Sequence, residues 1–250
     1  NDNKQYAVPK DVDTIALWYN KKMFDEAGVA HPTAEWTWDD VFEAAKKLTK
    51  EDGSQYGMAL RNDNNQAGYY NMIYDNGGTV ISDDKKTSGW DDPKTIEAVQ
   101  SWLDLVSEGL SPTLDQMADT DPDAMFQGGQ LAMYLSGNYM IASYDKTLEG
   151  KYGIAKRPTY NGKDTDIING LAFSVSANTK HPEEATDFAL WLGSEEAQKI
   201  NGEAGVCISA RNDCQQYFVD AHENLNCQIF LDNVANAELL PHCKITSQLS

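Results

Sequence analysis

The sequence predicts an α/β fold, and three observations carry that prediction. Short apolar runs bounded by Asn, Gly or Ser alternate along the chain with segments of helical periodicity, the pattern of α/β architecture. A composition of 41% hydrophobic and 10% aromatic residues is that of a folded globular chain. At 250 residues the chain can bury a sizeable core, as one large domain or two modest ones.

In chain order, residues 15–19 (IALWY) read as a buried strand, and 20–27 as a short helix that Gly28 can end with positive φ. Thr37 and Asp40 have the spacing of a capping box, with Thr37 as N-cap, and lead an amphipathic helix to about Lys50. Asp92-Pro93 opens a helix with Ile96, Val99, Trp102, Leu103 and Val106 on one face, ended by Gly109. Strands follow at 131–135, 152–155 and 171–175. Pro182 starts a helix carrying Ala185, Phe188, Ala189 and Leu192, and Ser194 caps the next. A last helix spans 226–237, before Pro241. Trp18, Trp38 and Trp102 fall at core positions of these elements. No repeat or low-complexity linker marks a boundary.

A formal net charge of -19 argues against nucleic acid and anionic lipid surfaces as partners, because phosphates demand a basic stripe. No apolar run approaches the roughly 18 residues of a membrane span. The opening, NDNKQYAVPKDVD, reads as the middle of a protein, as expected of a processed form or a fragment. Cys207, Cys214, Cys227 and Cys243 contain no C-x-x-C spacing. Three disulfide connectivities and buried free thiols all remain open.

Catalytic signatures do not occur. The chain carries no nucleophile elbow, phosphate loop or dinucleotide fingerprint, and its four histidines never pair at metal spacing. His31 and His181 each precede a proline and read as surface turns. Asp119, Asp121 and Asp123 imitate a calcium loop, but Ala124 and Gln130 stand where it needs Gly and Glu; the stretch at Asp63 and Asn65 fails at Tyr74, where it needs Glu. No metal, cofactor or catalytic residue is therefore assigned. What stands out is aromatic residues beside amides and glycines at element ends: 66–71 (QAGYYN), 76–78 (NGG), 136–139 (SGNY) and 169–170 (NG). Aromatic faces pack on the C–H faces of sugar rings while amides and carboxylates read hydroxyls.

Five stretches in order carry a resemblance across essentially the whole chain: 8–49 (VPKDVDTIALWYNKKMFDEAGVAHPTAEWTWDDVFEAAKKLT), 76–78, 124–139 (AMFQGGQLAMYLSGNY), 169–198 (NGLAFSVSANTKHPEEATDFALWLGSEEAQ) and 205–213 (GVCISARND). Together they resemble bacterial extracellular solute-binding proteins, the maltose-binding-protein-like carbohydrate receptors of ABC importers. The resemblance implies a periplasmic-binding-protein-like type II fold, two lobes of mixed sheets flanked by helices about a ligand cleft, here truncated at both ends. Residues 1–12 would close the N-lobe and make the first hinge crossing, 13–168 form the C-lobe, 169–225 return to the N-lobe, and 226–250 re-enter the C-lobe.

It also implies site residues. Asp13, at the first crossing, would hydrogen-bond sugar hydroxyls. Asn65, Tyr69 and Tyr70 would line the C-lobe side of the cleft. Asn138 and Tyr139 follow the 131–135 strand, with Tyr139 where relatives carry a stacking tryptophan. Asn169 and Gly170 would bring backbone close to ligand at the second crossing, and Arg211 matches either a ligand contact or a surface salt bridge. The implied function is extracytoplasmic carbohydrate binding by hinge closure and delivery to an ABC permease. The protein would be a monomer without enzymatic activity, touching the membrane only through a lipid anchor on a preceding segment. A polyamine, peptide or anion ligand on the same fold, a glycoside hydrolase and a protein-interaction surface are the alternatives.

Overall fold

A computed structural model describes residues 4–61 and 66–242. Short strands β1 (Val8–Pro9) and β2 (Asp11–Val12) precede β3 (Ile15–Asn20). Asn20 caps α1 (Lys21–Ala27) by accepting from the Met23 N–H. Both halves of the capping box form: Thr37 accepts from the Asp40 N–H while the Asp40 carboxylate accepts from the Thr37 N–H, opening α2 (Trp38–Leu48). Then come β4 (Tyr56–Ala59), α3 (Tyr70–Asp75) and α4 (Pro93–Ser107), the last capped by Asp92. The acidic 119–123 stretch ends α5 (Leu114–Asp119) and starts α6 (Pro122–Gln127), where Asp121 is the N-cap and Asp123 accepts from the Tyr144 hydroxyl.

β5 (Leu131–Gly137) runs two residues past its predicted end; a tight turn at Asn138–Met140 leads into α7 (Ile141–Leu148) and β6 (Tyr152–Ala155). Beyond β7 (Asp166–Ile168), the strand expected at 171–175 shrinks to β8 (Ala172–Phe173), because its partner β1 is only two residues long. After α8 (Pro182–Leu192), α9 (Glu195–Glu203), β9 (Ile208–Ser209) and α10 (Gln215–Asp220), the helix expected at 226–237 is confined to α11 (Gln228–Val234). At its far end Ala237 instead opens β10 (Ala237–Leu239), whose backbone pairs in parallel with β7.

The principal sheet has the order β4-β5-β3-β6, with β4 parallel to β5 and β3 antiparallel to both neighbours. Side chains of β3 alternate between two cores. Ile15, Leu17 and Tyr19 pack with Trp38, Val41, Met58 and Met133, and Ala16 and Trp18 with Tyr134, Tyr144, Tyr152 and Phe230. Burial on both faces is why this strand reads as a continuous apolar run. The Trp18 ring meets Tyr144 edge-on at 4.8 Å, and its Nε1–H donates to the Ser136 carbonyl at 2.8 Å.

Residues 8–13 pair on both sides with distant chain. β1 runs antiparallel to β8, β2 antiparallel to β9, and Asp13 bridges Asn169. α8 and α9 pack around these pairs and leave Phe188 and Trp191, stacked at 5.8 Å, largely exposed together with Leu190 and Leu171.

Two buried carboxylates tie α3 and β7 to the principal sheet and the chain leaving it. Asp75 pairs with Arg157 at 2.9 Å and accepts from the Thr165 N–H at 2.7 Å. Asp166 accepts from the Ile15 N–H (3.2 Å) and from the Ile167 N–H (2.8 Å), fixing the start of β3. Burial pushes its carboxyl up to about 6, against the Arg157 charge and these hydrogen bonds.

Because that value exceeds the unfolded one, the stabilising contribution of Asp166 is full below about pH 4 and is lost as pH rises through about 6. We expect the stability of the native chain relative to Asp166→Asn to rise by roughly 2–3 kcal/mol as pH falls from 7 to 4, read from urea midpoints. A difference that ignores pH over that window removes the assignment.

Candidate functional site

Between β2 and β3 the backbone of Asp13 exchanges hydrogen bonds with Asn169, at 2.9 Å from the Asp13 N–H and 3.3 Å from the Asn169 N–H. The next residue, Gly170, sits so close to the opposite chain that a Cβ there would overlap the Asp11 carbonyl oxygen. The Leu171 N–H donates to the Asp11 carboxylate at 2.8 Å. The two expected crossing segments therefore lie side by side, and Gly170 serves their close approach.

The half-buried Asp13 carboxylate accepts at 2.5 Å from the side-chain amide of Gln66. The same amide nitrogen reaches the Ile167 carbonyl at 2.9 Å and the Asp13 carbonyl at 3.3 Å. Burial pushes the Asp13 carboxyl above the usual carboxylate range; the Gln66 hydrogen bond opposes this, the Asp11 charge adds to it, and Lys10 acts against it. Lys10 is itself paired with Asp11 at 2.8 Å.

Tyr139 stands in the turn beyond β5, its ring laid over Gly137 so closely that a Cβ on that glycine would overlap it. One ring face is thus backed by the end of a buried strand, while 42% of the residue stays exposed. Its hydroxyl end is desolvated, which raises the phenol; the Asp13 charge raises it further, while hydrogen bonding with Ser136 and the Arg61 guanidinium act the other way. Arg61 pairs with Asp121 at 3.1 Å. An aromatic face and a fixed carboxylate thus sit together, and these are the two elements of polyhydroxyl recognition.

Several expected ligand contacts have other work. Asn138 is only 2% exposed, and its side-chain oxygen accepts from the Thr14 N–H at 3.4 Å, strapping the turn to the first crossing. Tyr70 is 3% exposed, with its ring against Tyr69 and Trp90, and so belongs to the core. Tyr69 is half-buried 5.1 Å from Trp102 in the same aromatic cluster. Asn65 lies outside the described residues. Arg211 forms a two-pronged surface ion pair with Asp213, at 3.0 and 2.6 Å. Of the residues singled out from sequence, the structure brings together Asp13, Tyr139, Asn169 and Gly170, with Asn138 behind them.

Gln66 and Gly137 lie in stretches singled out from sequence but were not among the expected site residues, and Arg61 was not singled out at all. The Gly-Asn-Tyr spacing signals the bare backbone under the Tyr139 ring. Nothing local signals that the Gln66 amide meets partners 53 and 101 positions away. Cys207, Cys214 and Cys227 are buried free thiols, and Cys243 lies outside the described residues. Among the described residues no group of three or more His, Cys, Asp or Glu is arranged to hold a metal, and no helix is long and apolar enough to cross a membrane.

Comparison with known proteins gives this geometry a context. Residues 1–199 match the family model described as bacterial extracellular solute-binding protein. The chain is 26% identical over 213 residues to the galactooligosaccharide-binding protein of Bacillus subtilis, covering 81% of this chain and 48% of that protein. It is likewise 26% identical over 212 residues to the arabinooligosaccharide-binding protein of the same organism, covering 79% and 47%. Among solved structures, an ABC substrate-binding protein from Listeria monocytogenes in complex with cycloalternan superposes with a TM-score of 0.88 at 25% identity, over 100% of this chain and 64% of that one. The GacH receptor of Streptomyces glaucescens, solved unliganded and with acarbose, gives 0.82 at 25% identity, over 96% and 62%. The chain spans about half the length of the curated relatives it matches. Its fold is the periplasmic-binding-protein-like α/β fold of type II, and the chain belongs to the bacterial extracellular solute-binding protein family.

Proposed function

We propose that this chain is part of an extracytoplasmic carbohydrate receptor that delivers its ligand to an ABC import permease. The observation that carries the reading is the Tyr139 ring, backed by Gly137 and half exposed beside the Asp13 carboxylate. A ring face held flat against a strand end is pre-organised to stack on a sugar, and a fixed carboxylate accepts from its hydroxyls. The oligosaccharides named for the Bacillus relatives support an oligosaccharide as ligand.

In this reading residues 13–168 and 226–250 form one lobe, and 1–12 and 169–225 contribute to the other. The exposed apolar side chains of α8 and Leu171 fit a second lobe completed by the part of the relatives' length that this chain does not span. Ligand stabilises the closed arrangement by contacting both lobes, and the permease reads that closed form. The receptor acts by binding alone, as a monomer tethered through a lipid anchor outside these residues.

A thermal-shift panel on the full-length protein tests the function. Galactotriose, arabinotriose or maltotriose should raise the melting point, by about 2.7 kcal/mol of added stability at a hundredfold excess over Kd. A rise with spermidine or glycerol 3-phosphate and with none of the three sugars overturns the reading.

Two substitutions test the site. Tyr139→Ala should weaken binding of the responding sugar by about tenfold or more, ~1.4 kcal/mol, with the unfolding midpoint nearly unchanged. Gly137→Ala should weaken it comparably with the tyrosine still present, because the added methyl displaces the ring. A large loss of stability in Tyr139→Ala would make Tyr139 a core residue instead.

A further inference from the structure

We propose that Gln66 is a positioning residue for the ligand-binding carboxylate. Its side-chain amide holds Asp13 in one orientation and ties the loop before α3 to both chain crossings. This rests on the reading of Asp13 and Tyr139 as the sugar site.

The geometry leaves the amide one orientation. Gln66 is 3% exposed, and Asp13 Oδ1, the Asp13 carbonyl and the Ile167 carbonyl, which surround its nitrogen at 2.5, 3.3 and 2.9 Å, are all acceptors. Only the donor end of an amide satisfies them, with its two hydrogens shared among three oxygens. The contact to the carboxylate is charge-assisted and directional, so Asp13 cannot swing to another rotamer without losing it. One side chain therefore joins three pieces of chain: the loop that carries it, the first crossing at Asp13, and the second crossing at Ile167, two residues before the Asp13–Asn169 bridge.

The charged and titratable surroundings make this amide consequential. Lys10 and Asp11, on the same extended segment, form an ion pair with each other, and Tyr139 faces the site from the turn beyond β5. Burial and the Asp11 charge both work against ionisation of Asp13, and the Gln66 hydrogen bond is the largest influence favouring the carboxylate. Without that donor, Asp13 would take up a proton at higher pH and lose its fixed direction together. A protonated carboxyl accepts less well from sugar hydroxyls, so affinity would fall first on the acid side.

The test follows the Asp13 carboxyl 13C resonance through a pH titration of the ligand-free full-length protein, identified by its absence in Asp13→Asn. In Gln66→Leu the midpoint should move up, because the donor that favours the carboxylate is gone. In the unmodified protein the Gln66 side-chain amide protons should shift with the same midpoint as Asp13, a readout that needs no folded variant. An Asp13 midpoint unchanged in Gln66→Leu, or Gln66 amide resonances that ignore the Asp13 titration, overturns the proposal and leaves Gln66 as loop packing. Affinities for galactotriose, arabinotriose and maltotriose form the second arm. Gln66→Leu should weaken the bound sugar about tenfold at pH 6 and move the acid limb of binding upward. A shifted Asp13 midpoint in a protein that binds none of the three overturns the sugar reading and leaves Gln66 positioning Asp13.

Discussion

The antiparallel pairing of residues 8–13 with 169–173 is the constraint on which the other features depend. It sets Asp13 against Asn169, and from that register the nearby polar groups find their partners. Thr14 offers its N–H to Asn138 and its hydroxyl to the Phe230 carbonyl, while Ile15 offers its N–H to Asp166 and its carbonyl to Asn233. Each of these hydrogen bonds adds only about 1 kcal/mol net, but leaving a buried partner unmade costs more, so the set stands or falls together. α11 is held to the principal sheet by two of them, through Phe230 and Asn233. The last described part of the chain and the first thus depend on the same few residues.

The site takes its rigidity from the sheet. β5 is buried along its whole length between β4 and β3, so its end point is fixed to within the tolerance of the core. Tyr139 then needs only the bare backbone of Gly137 to lie flat, with Asn138 clamping the turn from beneath. Asp13 is fixed from the other direction, by strand pairing and by Gln66. The aromatic face and the carboxylate are therefore each supported by buried groups behind them, Asn138 and Gln66. In a chain of net charge -19, Lys10 acts on the Asp13 carboxylate and Arg61 on the Tyr139 phenol, each paired with an aspartate of its own.

Much of this was legible in the residues, and the rest was not, for physical reasons. Strand 15–19 announced itself because both its faces are buried, and Thr37 and Asp40 because a capping box is local. The 171–175 and 226–237 segments were misjudged because their conformation is set by partners far away in sequence: β1 claims Ala172 and Phe173, and β7 claims residues 237–239. At the candidate site, Tyr139 and Asp13 were singled out by resemblance and aromatic–amide pattern. Asn138 and Tyr70 share that pattern yet point inward, since one strand end or helix start supplies inward and outward positions alike. Gln66 opens the 66–71 stretch, but its amide contacts exist only once Asp13 and Ile167, 53 and 101 positions away, converge on it.

The interleaved pairing also governs when the molecule can fold. Asp11 bonds with a partner 160 positions later and pairs with Ser209 on its other side. At translation rates of about 5–20 residues per second, the opening strands wait on the order of ten seconds or more before their neighbours exist. The four-stranded sheet, complete by Ala155, has its parts earlier, but Asp166, Phe230 and Asn233, which anchor β3, emerge later still. The full native pairing is consequently a late event, because its partners lie 160 to 218 positions apart in the chain. Until Phe230 and Asn233 have been made the pairing around β3 stays open, and a chain not yet closed on itself is one that a narrow pore can still thread.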